Sequence, residues 1–289
     1  MIFGDLHNLI ARMEADVDLL APAGLRGRIE ALDELDAHLG GDLDKRSKPP
    51  SADSALLNRV ADLRRKLEVA NAAVYGAIRE EIRQGNTDGL RNWFTVCRDA
   101  PDDPVPGLGY DYLDELIAEV LRIPEPGNEM IEPGLEHVFY QPTPVRHTLA
   151  MIERSGLSAK DVLIDFGSGL GQLCIVTSFL TGARAIGVEV EATYVKSARE
   201  CARNLGLDRV TFLHADAREV DLTSGTVFHL YTPFTGSILR TVLDRLRQES
   251  LKRPITICTL GPCADIVAME PWLVGDAMPD ANRVTVFRS

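Results

Sequence analysis

Cysteine is scarce in this chain: five in 289 residues, at Cys97, Cys174, Cys201, Cys258 and Cys263. An odd, scattered set with no C-x-x-C pair argues against a disulfide framework and a structural zinc site. It points to a reducing cytoplasm as the expected location. Long apolar runs are missing too. None reaches the roughly 18–20 residues that span a bilayer, so no membrane partner is expected. The opening "MIFGDLHNLIARMEADVDLL" has no basic first segment, and acids interrupt its apolar positions, so it does not read as a signal peptide. Positive charge is in deficit, with 31 Lys and Arg against 43 Asp and Glu, a net charge of −12. That balance disfavours broad attraction to a phosphate backbone and speaks against nucleic acid as partner. A P-loop, a Ser-His-Asp order and metal-ligand spacing are all absent, so no metal is expected.

What is present is ordinary globular material, 45% apolar and 26% charged, long enough for one large domain or two smaller ones. Residues 1 to about 125 read as helical. Leu56, Val60, Leu63, Leu67, Ala70, Val74, Ile78 and Ile82 recur at three- and four-residue spacing, which predicts one long amphipathic helix. Asp53 or Ser54 can cap its start, and Gly85 with Asn86 can end it. Its stripe serves either a bundle within its own domain or the seam of a homodimer; the bundle is the expected use. "KRSKPPSADS" before it is a polar connector, and the segment up to about Leu39 reads as helix broken near "APAG". "RDAPDDPVPGLG" is a loop, and "YDYLDELIAEVLRI" is a helix with Leu113, Leu116, Ile117, Val120 and Leu121 on one side. The breakers of "PEPGNEMIEPG" place a domain boundary near residue 125, giving a helical domain over 1–125 (a lid, substrate platform or dimerisation element) and a second domain over 126–289.

Beyond that boundary short apolar runs alternate with helical stretches: "VLIDF", "AIGVEV", "VTFLHA", "TVFHLYTPF", "ITICTL" and a final "RVTVFRS". Strand–helix alternation predicts an α/β fold, a mostly parallel sheet with helices on both faces. The last strand, with no helix after it, can enter antiparallel. "DFGSGLGQ" ends the first strand. Its glycines, Gly167, Gly169 and Gly171, open a helix and turn backbone N–H groups toward a ligand. A dinucleotide loop is G-x-G-x-x-G, but Gln172 stands where its third glycine belongs, and Asp165 precedes the loop. Both features weaken the dinucleotide reading.

"DFGSGLG" resembles motif I of class I S-adenosylmethionine-dependent methyltransferases, D/E-x-G-x-G-x-G. "AIGVEVE" and "FLHADAREV" resemble the two motifs that follow it, in the same order and spacing, over roughly residues 136–289. The resemblance implies a Rossmann-like sheet of seven strands and S-adenosylmethionine as cofactor, with S-adenosylhomocysteine as product. It implies donor binding by Asp165, Gly167, Ser168, Gly169, Gly171 and Gln172, by Glu189 on the ribose hydroxyls, and by Asp216 with Ala217 at the adenine. The chemistry of the side chains agrees. A carboxylate is acceptor-only and can take hydrogen bonds from both ribose hydroxyls or from an exocyclic amine. Bland uses of the same acids are a loop anchor for Asp165, a solvated strand end for Glu189 with Glu191 as the partner, and an N-cap for Asp216.

"VFYQPTP" before the first strand is similar to the pre-motif loop of Dot1-like and ATP-synthase c-subunit lysine methyltransferases, which implies that Tyr140, Pro142 and Thr143 line the methionine side of the donor. "HLYTPFTG" stands where amino-directed members carry [D/N/S]-P-P-[Y/F/W], but Thr232 replaces the acid or amide and one proline is missing. Tyr231, Thr232 and Phe234 are the residues this implies for positioning an acceptor. The expected reaction is in-line methyl transfer to a nucleophile, an amine before a hydroxyl, with protein lysine as one of the acceptors left open; protein and small-molecule acceptors both fit. The alternative is a donor-binding regulatory or assembly protein without transferase activity. His137, His147, His214 and His229 lie near these loops and read as structural histidines. Cys258 reads as a buried strand residue and Cys263 as a loop residue.

Overall fold

The computed structural model describes residues 2–40, 51–98, 109–127, 136, 138 and 140–289. The chain divides into two compact units, residues 1–80 and 81–289. The boundary expected near residue 125 therefore falls inside the second unit.

The first unit contains α1 (Ile2–Ala15), a 3-10 turn at Pro22–Gly24, α2 (Leu25–Gly40) and most of α3 (Ser51–Arg83). The break near "APAG" is that turn, where Pro22 fits a first-turn position that needs no N–H. Leu6, Ile10 and Met13 of α1 pack with Leu35 of α2 and with Leu56, Val60, Leu63 and Leu67 of α3. The first half of the α3 stripe thus faces a bundle within its own unit. Further along, the stripe departs from the expected positions: Asn71 and Tyr75 are buried, whereas Ala70 and Val74 are half-buried. Steps of four from Leu67 carry the buried face onto these residues, as the 3.6-residue repeat requires. Asn71 is buried because it has a partner. The fully buried Arg28 donates from Nε to Asn71 Oδ1 at 2.6 Å, and through Nη1 to the carbonyls of Leu19 and Ala21.

In the second unit, α4 (Asp88–Arg98) and α5 (Tyr112–Leu121) precede α6 (Val145–Ser155). The five apolar residues expected on one side of α5 are all buried. Asp111 and Asp114 form a capping box at its start, and Asp114 Oδ1 also accepts from the Val145 N–H at 2.8 Å, tying α5 to the start of α6.

The strands follow as β1 (Val162–Phe166), β2 (Arg184–Glu189), β3 (Val210–His214), β4 (Val227–Tyr231), β5 (Thr256–Leu260), β6 (Val274–Gly275) and β7 (Thr285–Arg288). Interleaved with them are α7 (Gln172–Thr181), α8 (Ala192–Asn204), α9 (Gly236–Ser250) and α10 (Cys263–Ala268). Among the described residues they make one sheet in the order β3-β2-β1-β4-β5-β7-β6. β1 to β5 are parallel, and β7 runs antiparallel to β5 and β6. This is the expected seven-stranded, Rossmann-like α/β sheet with an antiparallel terminal strand. One face buries Ile164, Phe166, Phe228 and Leu230 with Leu239, Leu243 and Leu246 of α9. The strand order reverses between β1 and β4, so a crevice opens outside their carboxyl ends, where open α/β sheets bind ligands. Among the described residues no helix is long and apolar enough to cross a membrane.

Candidate functional site

A cavity of about 410 Å³ lies at that crevice. Most of the residues singled out in the sequence line it: Tyr140, Pro142, Thr143, Asp165, Gly167, Ser168, Gln172, Glu189, Asp216, Ala217, Tyr231, Thr232 and Phe234. Gly169 and Gly171 do not line it. They take positive φ, 51° and 81°, and a Cβ at either would run into an aromatic ring, Tyr140 over Gly169 and Phe212 over Gly171. Their work is to let rings close on the loop from both sides. Tyr140 also packs on Tyr194 of α8, with ring centroids 5.1 Å apart. Burial pushes the Tyr140 phenol well above the ordinary tyrosine range.

The segment before α6 is pinned by polar contacts. Tyr110 Oη donates to the Pro142 carbonyl at 2.9 Å, and Gln172 Nε2 donates to the Thr143 carbonyl at 3.3 Å. The Glu136 carboxylate accepts from the Ser237 and Ile238 N–H groups and from Ser237 Oγ, capping α9. These amides hold its carboxyl below the usual range.

Each acid has a definite setting. Glu189 ends β2, and its carboxylate accepts from the N–H groups of Gly169, Val190 and Glu191. Burial raises its pKa, against the pull of these amides. Three amides leave a lone pair of the roughly four on a carboxylate for a ligand hydroxyl. Glu191 caps α8 through the Thr193 N–H at 3.3 Å. Asp216 accepts from the Arg218 N–H at 2.8 Å and pairs with the Arg218 guanidinium. The segment after it is a turn and not a helix, so the N-cap alternative becomes an Asx turn.

Asp165 holds no loop amide. Its Oδ1 accepts from His229 Nδ1 at 2.7 Å across the β1–β4 pair, and its Oδ2 faces the Cys174 thiol at 3.7 Å. Burial and Asp165 together push that thiol up. Among the described histidines, His229 is the one that sequence reasoning left aside and the structure brings to the site. Its alternation with Phe228 and Leu230 along β4, opposite Asp165, was the available signal. His214 Nε2 lies 3.0 Å from the Val190 carbonyl and His147 is buried on α6, consistent with structural roles. His137 lies outside the described residues.

At the end of β4, Thr232 adopts φ 40°, a conformation that a β-branched residue rarely takes. Its Oγ1 donates to the Leu260 carbonyl and accepts from the Cys263 N–H, both at 3.1 Å. The hydroxyl is therefore committed to the fold. Tyr231 Oη is different: it is buried, without a hydrogen-bond partner, and its residue lines the cavity. Burial pushes this phenol up to about 12. Cys258 is buried on β5 as expected, whereas Cys263 is buried too but opens α10 and does not sit in a loop.

The lining suits a methyl donor better than a dinucleotide. Among the described residues it includes Asp165, Glu189, Glu191 and Asp216 and no Lys or Arg. An acidic wall favours a sulfonium and an ammonium and opposes a pyrophosphate, even with Asp216 paired to Arg218. Ser168 Oγ and His229 Nε2 are also buried without partners on this wall, as expected where a polar ligand completes the hydrogen bonding.

Comparison with known proteins agrees. Residues 157–235 match the family model described as a methyltransferase domain. A ribosomal protein L11 methyltransferase of Edwardsiella ictaluri is 31% identical over 132 residues, 41% of this chain and 44% of its own. A protein-lysine N-methyltransferase of Saccharolobus islandicus is 28% identical over 97 residues, 33% of this chain and 60% of its own. The chain thus spans less than two thirds of these curated relatives. A crystal structure of an RNA methyltransferase from Salinibacter ruber with S-adenosyl-L-homocysteine is 30% identical, covering 51% of this chain and 92% of that one, with a TM-score of 0.40. Residues 157–235 of the second unit thus match a methyltransferase domain.

Proposed function

We propose that the chain transfers the methyl group of S-adenosylmethionine to an amine, with a lysine side chain of a protein as the acceptor class. The observation that carries this reading is the acidic cavity ending at Tyr231 and Thr232. In the proposed arrangement Glu189 takes the ribose hydroxyls, and Asp216 with Ala217 takes the adenine. Tyr140, Pro142 and Thr143 cover the amino-acid side. Ser168 and Gln172 belong to the loop between. The order of strands β3, β2, β1 and β4 then runs from adenine to acceptor. When bound, the donor supplies an electrophilic methyl group, so alignment and exclusion of water dominate the barrier.

The four carboxylates draw a cationic acceptor toward the cavity. Tyr231 keeps its proton across the working range, so it orients the acceptor through a neutral hydroxyl and is no base. The acceptor proton leaves to solvent before transfer. Thr232 offers the turn and its backbone, and Phe234, 4% exposed, forms an apolar wall. The named relatives pull in two directions, two toward protein and one toward RNA. The acidic wall favours protein. The likeness of "YQPTP" to Dot1-like lysine methyltransferases points the same way.

The test is label transfer from methyl-labelled S-adenosylmethionine to a lysine-rich peptide, to the same peptide with every lysine replaced by arginine, and to RNA. Label in the lysine peptide alone is expected. Label in RNA, or in both peptides equally, contradicts the lysine assignment.

A further inference from the structure

The chain is acidic overall, with a net charge of −12, yet one depression on its surface is basic. A groove of about 260 Å³ between α8 and β3 is lined by Ala192, Val195, Lys196, Arg199, Arg203 and His214, with no carboxylate among them. Lys196, Arg199 and Arg203 follow one another at three and four residues, so α8 presents them in one row. All three are exposed, and none pairs with an acid among the described residues. Like charges at this spacing repel, so the row does nothing for the helix itself. Arg199 alone has a structural task. β3 is an edge strand of the sheet, and its Phe212 carbonyl accepts from Arg199 Nε at 2.9 Å and from Nη2 at 2.7 Å. That partner is neutral. It fixes the guanidinium and leaves its charge and its remaining N–H groups for an anion.

We propose that this groove is a second ligand site, sharing no lining residue with the cavity at the sheet's carboxyl end, and that it takes a chain of phosphates. It stands independently of the donor and acceptor readings above. Along α8 the row from Lys196 to Arg203 spans about 10 Å at 1.5 Å per residue. A helical nucleic-acid strand carries one charge per about 3.4 Å of its axis, which sets three phosphates against the three cations. An extended peptide turns every second side chain to one face, about 6.6 Å apart, and brings two carboxylates at most over the same length. The arginine forks match phosphate oxygens, and Lys196 adds a point charge. His214 completes the lining, its ring held by Nε2 donating to the Val190 carbonyl at 3.0 Å. The acidic remainder of the chain repels polyanions, which concentrates their binding here. Free oligophosphate and the backbone of single-stranded RNA are the two sources of this chemistry.

The experiment is titration of the full chain with tripolyphosphate, with a short single-stranded RNA and with a polyglutamate peptide. It is repeated on the double variant Lys196→Gln, Arg203→Gln, which keeps Arg199 on the β3 edge. Saturable binding of tripolyphosphate or RNA is expected, at least about ten-fold weaker in the double variant, while the two proteins melt alike. For RNA the slope of log affinity on log salt is expected near about −2 for three contacts in the intact protein, and near about −0.7 for the one contact left in the variant. Either phosphate ligand supports the site, and the tighter of the two identifies its source. Absence of binding by both in the intact protein overturns the proposal, and this arm needs no variant to fold. So does an affinity indifferent to the double variant, polyglutamate binding as tightly as the phosphate ligands, or displacement of the phosphate ligand by S-adenosylhomocysteine.

Discussion

Thr232 combines two demands on one residue: a left-handed backbone and a hydroxyl bridge between β5 and α10. The two can be separated. Both Thr232→Gly and Thr232→Ala remove the bridge, but only Ala keeps the backbone penalty. Thr232→Gly is expected to be the more stable by about 1 kcal/mol, read from urea denaturation midpoints at equal slope. Tyr231 makes a prediction with a sign. Its folded value is raised to about 12, above the ordinary value of about 10. The unfolded chain therefore releases this proton first, and stability falls as pH rises between those two values, then levels. The drop in melting temperature from about pH 9 to about pH 11.5 should be smaller in Tyr231→Phe than in the intact protein. An equal drop contradicts the buried phenol. The same substitution leaves donor affinity unchanged and lowers kcat by about ten-fold or more if the hydroxyl orients the acceptor.

At the scale of elements, the glycine loop was legible in sequence as a turn from strand to helix, but the reason for two of its glycines was not. Gly169 and Gly171 serve ring packing by Tyr140 and Phe212, which come from distant segments that spacing within the loop cannot reveal. Gly169→Ala should displace the Tyr140 ring, weakening donor binding about ten-fold or more while the sheet stays intact; fluorescence of a bound donor analogue would follow it. Strand–helix alternation, the α5 face and the antiparallel β7 could all be read because apolar periodicity and burial coincide there. β6 could not, since two exposed residues, Val274 and Gly275, carry no pattern. The middle of the α3 stripe departs from expectation because Asn71, a polar residue, is buried by virtue of Arg28, while Ile78 and Ile82 are buried as expected. Arg28→Ala should destabilise the helical unit by about 2 kcal/mol or more, because buried carbonyls and an amide lose their donor. Thermal melting of the chain would register it.

For the whole molecule, the acids that line the crevice sit on two strands and just after a third, at Asp165, Glu189 and Asp216, and sequence motifs singled out each of them on its own. His229 escaped because no motif names it; only the β1–β4 register sets it against Asp165. The helical region over 1–80 carries no motif, and its part in choosing an acceptor is a proposal for substrate assays with and without it. The central claim is that the crevice between β1 and β4 holds a methyl donor and not a dinucleotide. Calorimetric titration with S-adenosylhomocysteine and with NAD, on the intact chain and on Glu189→Ala, tests it most directly. Saturable binding of S-adenosylhomocysteine, weakened about ten-fold or more by Glu189→Ala, with no heat from NAD, is the predicted result. Binding of NAD, or S-adenosylhomocysteine binding indifferent to Glu189, would contradict it.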